Sequence, residues 1–558
     1  MDTVEVAKTT YFLQRNPKQL QTIISKIYIF SFIWGFGGCL KREDNAEDDN
    51  IINQKSHVKT NTDSLTNDFD EYIHEIFGSN IKYSIYCPPT SKPVFDYFLD
   101  VTTGNFVEWT QLLPNMDVLI RKRQTDSITE TIDSLRYTFL ASLLLMGKKP
   151  VLITGSSGIG KTVIIKSMLK NLSTTGFSFK VNTILGDIFN YSEKKNQTTQ
   201  NAAASLFNND SEKKVKSEEY GMVANYMQFS AQTSSNKFLS MFVSKLHKKS
   251  NNLLGASKNK LVVSFIDDLN IPIADKFGDQ PPLELLRYII ENNGFHDIKN
   301  CQMKNITDST FILCCNPPSA GRNQISPRLL RQLCILSMPD PSARSLFNIY
   351  QVQMGRFFGE NEFNNDIKSN LLPLVSSCIV MYYRIFINML PTPSKSHYVF
   401  NFRDLSKLNN GLMQANALVV VNKDHLVSLF THECIRVFND RLITEEDNEK
   451  FYEHLSYTVA DYFKSEIGNP FKAKKKQQVA KMTSLGSIEE PEQFEEEENN
   501  DLLLYGDFIK NDERVYQPLR NWKQLVSVLS EYQMRSNMAG HITKQIVFFK
   551  EAVEHICR

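Results

Sequence analysis

The sequence predicts an α/β protein in which a parallel β-sheet flanked by helices is followed by an α-helical subdomain. Three observations predict it. Apolar runs at residues 149–162, 261–268 and 311–315 each end in polar, chemically capable side chains. Helical patterns lie between and after these runs, and beyond Pro341 apolar residues recur only at helical spacing. Strands buried on both faces read as continuous apolar runs, whereas a helix buries one stripe.

The elements follow in chain order. At ~150 residues per domain, 558 residues correspond to roughly three or four units. Residues 1–120 form a helical and extension segment, opened by a helix whose apolar residues Ile23, Ile24, Ile27, Phe30 and Trp34 recur at helical spacing until Gly35, Gly37 and Gly38 interrupt it. Residues 41–68 are rich in Asp, Asn, Ser and Thr and read as a polar linker, because they bury too little area to offset ordering. Residues 121–342 form the α/β part, with a polar surface insertion at 191–220. Residues 343–468 form the helical part, typified by Leu426, Phe430, Cys434, Val437, Phe438 and Leu442 on one face. A charged, disordered linker at 469–500 pairs Lys472, Lys474, Lys475 and Lys476 with an acidic run, and residues 501–558 read as amphipathic helix.

Composition excludes several classes. Hydrophobic residues make up 41% of the chain, so it is globular rather than disordered. Lys and Arg number 63 against 62 acidic residues, so no global field points to nucleic acid. The most apolar stretch, residues 27–38, is shorter than the ~20 residues of a membrane span, and no signal peptide precedes it. Nine cysteines, odd in number and without a CxxC pair, indicate reduced intracellular thiols. The chain therefore reads as cytoplasmic, with neither nucleic acid nor membrane as partner.

The strongest local signal is Gly155-Ser156-Ser157-Gly158-Ile159-Gly160-Lys161-Thr162, which fits GxxxxGK[ST] between an apolar strand and a helix. In that context the backbone N–H groups and the helix N-terminus bind phosphate. Lys161 reaches the β- and γ-phosphates, and the Thr162 hydroxyl coordinates Mg²⁺. The second run, Leu261-Val262-Val263-Ser264-Phe265-Ile266, leads into Asp267, a metal carboxylate, and Asp268, which orients or deprotonates a water. A helix N-cap is the competing role for either aspartate.

The third run, Phe311 to Cys315 in five residues, ends in Asn316-Pro317-Pro318, where the amide can contact a γ-phosphate and the lytic water; a plain turn competes. Arg322, Arg328 and Arg331 cluster around Ser326-Pro327 in sequence. Arg403 precedes Asp404, and an ion pair between them is as plausible as a phosphate contact. His432-Glu433 makes no zinc motif, since HExxH requires histidine where Arg436 stands. Cys314 and Cys315 pack in the core.

The run Phe265-Ile266-Asp267-Asp268-Leu269-Asn270-Ile271-Pro272, continuing through Gln280-Pro281-Pro282-Leu283-Glu284-Leu285-Leu286-Arg287, resembles the third AAA+ module of axonemal-type dynein heavy chains. Further likeness lies in Phe229-Ser230-Ala231-Gln232-Thr233-Ser234, Gly321-Arg322-Asn323, Pro327-Arg328-Leu329-Leu330-Arg331, Phe400-Asn401-Phe402-Arg403-Asp404-Leu405-Ser406 and His432-Glu433-Cys434-Ile435-Arg436-Val437-Phe438. Residues 1–120 resemble the connection from a second module, and Leu504-Tyr505-Gly506-Asp507-Phe508 the run-in to a fourth.

The resemblance implies a P-loop NTPase fold of the AAA+ type with a helical lid, binding ATP or ADP with Mg²⁺. It implies Asn316 as first sensor, Arg403 as second, and Arg328 (or Arg331) as arginine finger for a preceding module. The whole family member is a minus-end-directed microtubule motor of the ciliary or flagellar axoneme and the cytoskeleton. Its partners are the remaining AAA+ modules, intermediate and light chains, and microtubules. This chain reads as a fragment with a regulatory site and slow turnover, because Asp268 is one methylene shorter than the usual Glu and the finger comes from another module. Two rivals remain: a stand-alone, self-assembling AAA+ remodelling ATPase, and a structural ring module that holds nucleotide without turnover.

Overall fold

The computed structural model describes residues 17–42, 62–79, 86–100, 104–113, 120, 129–175, 221–297, 301–319, 321–465, 504–509, 514–519, 521–540 and 546–558. The insertion at 191–220 and the linker at 469–500 lie outside the described residues. The chain divides into two compact units, with the main boundary between Ser342 and Ala343.

In the first unit α1 (Pro17–Gly37) and α2 (Thr62–Ile73) precede the antiparallel hairpin β1 (Tyr97–Asp100) and β2 (Asn105–Glu108). The helix read from the apolar spacing is present as α1, and of the five residues that carried the spacing Trp34 is the buried one. The buried residues are Lys26, Ile29, Ile33, Trp34 and Gly37, whereas Ile24 and Ile27 are exposed. Trp34 and Phe95 pack edge to face at 5.4 Å, and Phe69 stacks on Phe95 at 5.8 Å, which decides the side that faces in. Residues 41–68 are not linker throughout, because α2 begins at Thr62. The hairpin was also unforeseen in a segment read as helix and extension.

The α/β part runs α3 (Ile132–Met146), β3 (Val151–Thr154), α4 (Lys161–Thr175), β4 (Gly221–Gln228), α5 (Ser235–Val243), β5 (His247–Ser250), β6 (Leu253–Gly255), β7 (Lys260–Asp267), α6 (Pro281–Asn292), β8 (Gly294–His296), β9 (Met303–Thr307), β10 (Ser309–Cys315), α7 (Pro327–Leu330) and β11 (Cys334–Ser337). Five strands form a parallel sheet in the order β11-β3-β10-β7-β4. Strands β4 and β11 went unrecognised in the sequence. The first alternates burial and so lacks a continuous apolar run, and the second spans only four residues. Strands β5, β6, β9 and β8 form a smaller second sheet, also unforeseen. Pro281 and Pro282 start α6, where their missing N–H groups cost nothing, and Asn293 ends it in the left-handed conformation.

The edge strand β11 is tied to the N-terminal segment. Ser337 N–H donates to Gly38 O at 2.7 Å, Met338 N–H donates to Thr154 O at 2.8 Å, and Tyr137 Oη donates to Ser337 O. Arg42 donates to Tyr137 Oη at 2.5 Å and lies 5.0 Å from the Phe95 ring and 5.2 Å from the Trp34 ring. The guanidinium is thus desolvated against aromatic faces and held by a hydroxyl.

The second unit contains α8 (Ala343–Glu360), α9 (Asn365–Ser369), α10 (Leu371–Asn388), α11 (Phe402–Leu412), α12 (Lys423–Val437), α13 (Glu445–Phe463), the ladder β12 (Tyr505–Gly506) with β13 (Gln517–Pro518), α14 (Trp522–Ala539) and α15 (Lys550–Cys557). Residues 501–558 are therefore not wholly helical. The face of α12 read from sequence is buried from Leu426 through Leu442. Among the described residues α10, not 27–38, is the helix long and apolar enough to cross a membrane. Its apolar length is used inside this unit, where Leu374, Val375, Cys378, Ile379 and Tyr382 join the core.

Candidate nucleotide site

The sheet order dictates where the site lies. Strand β3 sits between β11 and β10, and β10 lies between β3 and β7. Register pairs Cys315 with Thr154, and Leu313 with Ile266. Because all these strands are parallel, the residues just beyond Thr154, Cys315 and Ile266 emerge side by side at the carboxyl edge, where open α/β sheets bind ligands.

The glycine-rich loop depends on its glycines. Gly158 and Gly160 have φ of 91° and 97°, values that a side chain disfavours. A Cβ on Gly155 would stand 2.6 Å from Ile159 Cδ1 and 2.7 Å from Met338 O, so only glycine lets β3 turn there. Lys161 Nζ donates to Gly155 O at 2.8 Å, Ser156 O at 2.7 Å and Asn316 Oδ1 at 2.6 Å. Burial pushes the pKa of this ammonium below its ordinary value, while Asp267 opposes the shift. The Thr162 hydroxyl donates to Asp267, 2.9 Å from Oδ2 and 3.2 Å from Oδ1.

The segment after β7 is stapled to both neighbouring strands. Phe229 N–H donates to Asp267 O at 3.1 Å, and Leu269 N–H to Cys314 O at 2.9 Å. Asp268 takes φ of 56°, uncommon for a residue with a side chain, and its N–H donates to Asp267 Oδ1 at 3.1 Å. Burial pushes the Cys314 and Cys315 thiols up, as fits core packing.

The arginines do not gather as their spacing suggested. Arg322 Nη2 stands 3.9 Å from Asp268 Oδ1, whereas Arg331 pairs with Glu291 at 3.3 Å on the surface and Arg328 is exposed. In the second unit Arg403 is exposed, and the pair it was weighed to form with Asp404 is not made. Asp404 instead binds Lys407 through Oδ1 and Arg441 through both oxygens, and Oδ2 also accepts from Asn401 N–H in a capping box. Glu433 is buried, receives hydrogen bonds from Arg436 Nε at 2.8 Å and Tyr516 Oη at 2.6 Å, and belongs to the second unit's interior.

Two residues of the site were missed as functional candidates. Asn270 and Arg322 both lie in runs that the sequence made conspicuous, but neither carries a spacing rule that assigns it a role.

A glycine loop on a strand, a lysine and threonine opening the following helix, and a carboxylate and an amide on neighbouring strand tips define a P-loop nucleotide-binding module of the AAA class. The model for a P-loop containing dynein motor region matches residues 121–201 and 201–341. That for the dynein heavy chain ATPase lid domain matches 360–448, and that for the dynein heavy chain AAA lid domain matches 2–111. The chain belongs to the dynein heavy-chain family.

It is similar to dynein axonemal heavy chain 6 of Homo sapiens, 29% identical over 100% of this chain and 11% of that one. It is also similar to dynein axonemal heavy chain 12 of Rattus norvegicus, 27% identical over 95% of this chain and 15% of the relative. Likeness extends to the dynein-1-beta heavy chain of the flagellar inner arm I1 complex of Chlamydomonas reinhardtii, 27% identical over 96% of this chain and 10% of the relative. The chain thus spans 10% to 15% of the length of these relatives.

Proposed function

We propose that this chain is the Mg-ATP-binding regulatory region of an axonemal dynein heavy chain and corresponds to its third AAA+ module. The observation that carries the reading is the convergence at one sheet edge of Lys161, bonded to Asn316, with Thr162, bonded to Asp267.

The donor set suits the ligand. Gly160 has open space where a Cβ would stand, and the Thr162 hydroxyl and Asp267 carboxylate are the hard oxygen ligands that Mg²⁺ prefers. Thr162 and Asp267 would hold the ion, which when bound neutralises charge on the β- and γ-phosphates. Lys161 and the loop amides bind phosphate oxygens, Asn316 contacts the terminal phosphate, and Asp268 orients the attacking water and accepts its proton. Arg403 serves as second sensor, and the exposed Arg328 is available as an arginine finger to a neighbouring module.

Turnover by the isolated chain is slow in this reading, since a finger supplied from outside is worth roughly 10³–10⁵ in rate. In the complete heavy chain the site would gate the motor along axonemal microtubules, together with the other modules and the intermediate and light chains. Titration calorimetry of the whole chain with Mg-ATP and Mg-ADP tests the binding. Saturable heat that disappears in Lys161→Ala is the expected result, and equal titrations of parent and variant would sink the reading.

A further inference from the structure

One cation at the site has no role in that scheme. Arg322 and Asp268 have side chains 22% and 29% exposed, so their attraction is screened less than that of a fully solvated pair. Among the described residues Arg322 is the cation paired with Asp268, while the Lys161 ammonium is held by three other oxygens. We propose that Arg322 is a positioning residue for Asp268, and that buried Asn270 sets where Arg322 stands. The proposal rests on the reading of Asp268 as the residue that orients water.

The need for positioning is visible in the backbone. A left-handed residue with a side chain costs about 1 kcal/mol or more, and Asp268 leaves β7 in that conformation. Its N–H is tied to Asp267, and its carbonyl accepts from Ile271 N–H at 3.2 Å. Neither bond fixes the carboxylate. The Arg322 guanidinium, 3.9 Å from Oδ1 in the connection after the neighbouring strand β10, is the charge that faces it.

Asn270 supplies the geometry. It is 1% exposed, its Nδ2 donates to Asn316 O at 2.9 Å, and its own carbonyl accepts from Asn323 N–H at 3.0 Å. One side chain and its backbone therefore hold both the residue that bonds Lys161 and the residue next to Arg322. Asn323 Nδ2 adds a bond to Pro272 O at 2.8 Å. Arg322 N–H donates to Ser319 O at 2.9 Å, and Gly321 takes φ of 79°, which makes the reversal that turns Arg322 toward Asp268.

The test uses the whole chain with Arg322→Ala, Arg322→Lys and Asn270→Ala. Affinity for methylanthraniloyl-ADP, single-turnover cleavage of Mg-ATP, and hydrogen exchange of residues 266–272 without nucleotide are measured. Arg322→Ala is expected to bind ADP within about threefold of the parent, to cleave about tenfold more slowly or worse, and to exchange faster at 266–272. Arg322→Lys should recover part of both losses, and Asn270→Ala, which removes the side-chain bond to Asn316 O but keeps the backbone bond from Asn323, should speed exchange at 266–272 and around Asn316. Parental exchange at 266–272 in Arg322→Ala overturns the proposal, as does parental cleavage by that variant. Loss of ADP binding along with cleavage, unrecovered by lysine, also overturns it by marking a merely structural role. A parent chain that cleaves nothing would defeat the reading of Asp268, and the exchange arm would still decide whether Arg322 restrains that segment.

Discussion

Single residues carry the site, and their substitutions separate binding from folding. Gly155 is a folding residue as well as one of the proposed phosphate-binding loop, since a methyl group there meets both Ile159 and the Met338 carbonyl. Gly155→Ala should cost about 1–3 kcal/mol of the first unit's stability, read from a denaturant midpoint. Thr162→Ala removes one hard oxygen without disturbing the loop, so it should weaken Mg-ATP binding far more than ATP binding in EDTA. Calorimetry in the two buffers checks this, and equal losses would remove Thr162 from the metal role. Asn316 was legible from its place after an apolar strand, but its bond to Lys161 was not, because two residues 155 positions apart meet only through strand order.

At the scale of elements, α11 and the turn Asn439–Arg441 that follows α12 are joined by a buried carboxylate. Asp404 is 3% exposed as a side chain and carries Arg441 and Lys407. Burial raises its pKa, but the hydrogen bonds from Arg441 and Asn401 outweigh that and leave it below the ordinary 3.8. A depressed folded pKa gives stability that is present above about 3.8 and lost as pH falls through the folded value. Arg441→Met leaves the carboxylate without its main partner and should destabilise the second unit by about 3–5 kcal/mol near neutrality. Thermal unfolding followed from pH 7 downward checks both the loss and its shrinkage in acid. The ladder β12–β13 is pinned in the same unit by Tyr516, whose hydroxyl bonds buried Glu433. Tyr516→Phe should raise proteolysis at residues 504–519 while leaving nucleotide affinity unchanged.

For the whole molecule, the proposed reading makes a prediction that its rivals do not share. Multi-angle light scattering should give a mass near the 64.1 kDa of one chain with ATP, with ADP and without nucleotide. A nucleotide-dependent ring with brisk hydrolysis would instead support the self-assembling alternative. The strands β3, β7 and β10 were legible because each is a continuous apolar run, as burial on both faces requires. By contrast, β4, β11 and the small sheet escaped notice, being half-buried or only a few residues long. By itself the sequence determined the phosphate loop, the carboxylate and amide at strand tips, and the helical character of the second unit, since these rest on local spacing and residue chemistry. Only the tertiary structure decided that β10 lies between β3 and β7, that Asp404 turns to Arg441 rather than Arg403, and that Arg322 meets Asp268. Crossover connections and long-range pairing set those neighbours, and local periodicity holds no record of them.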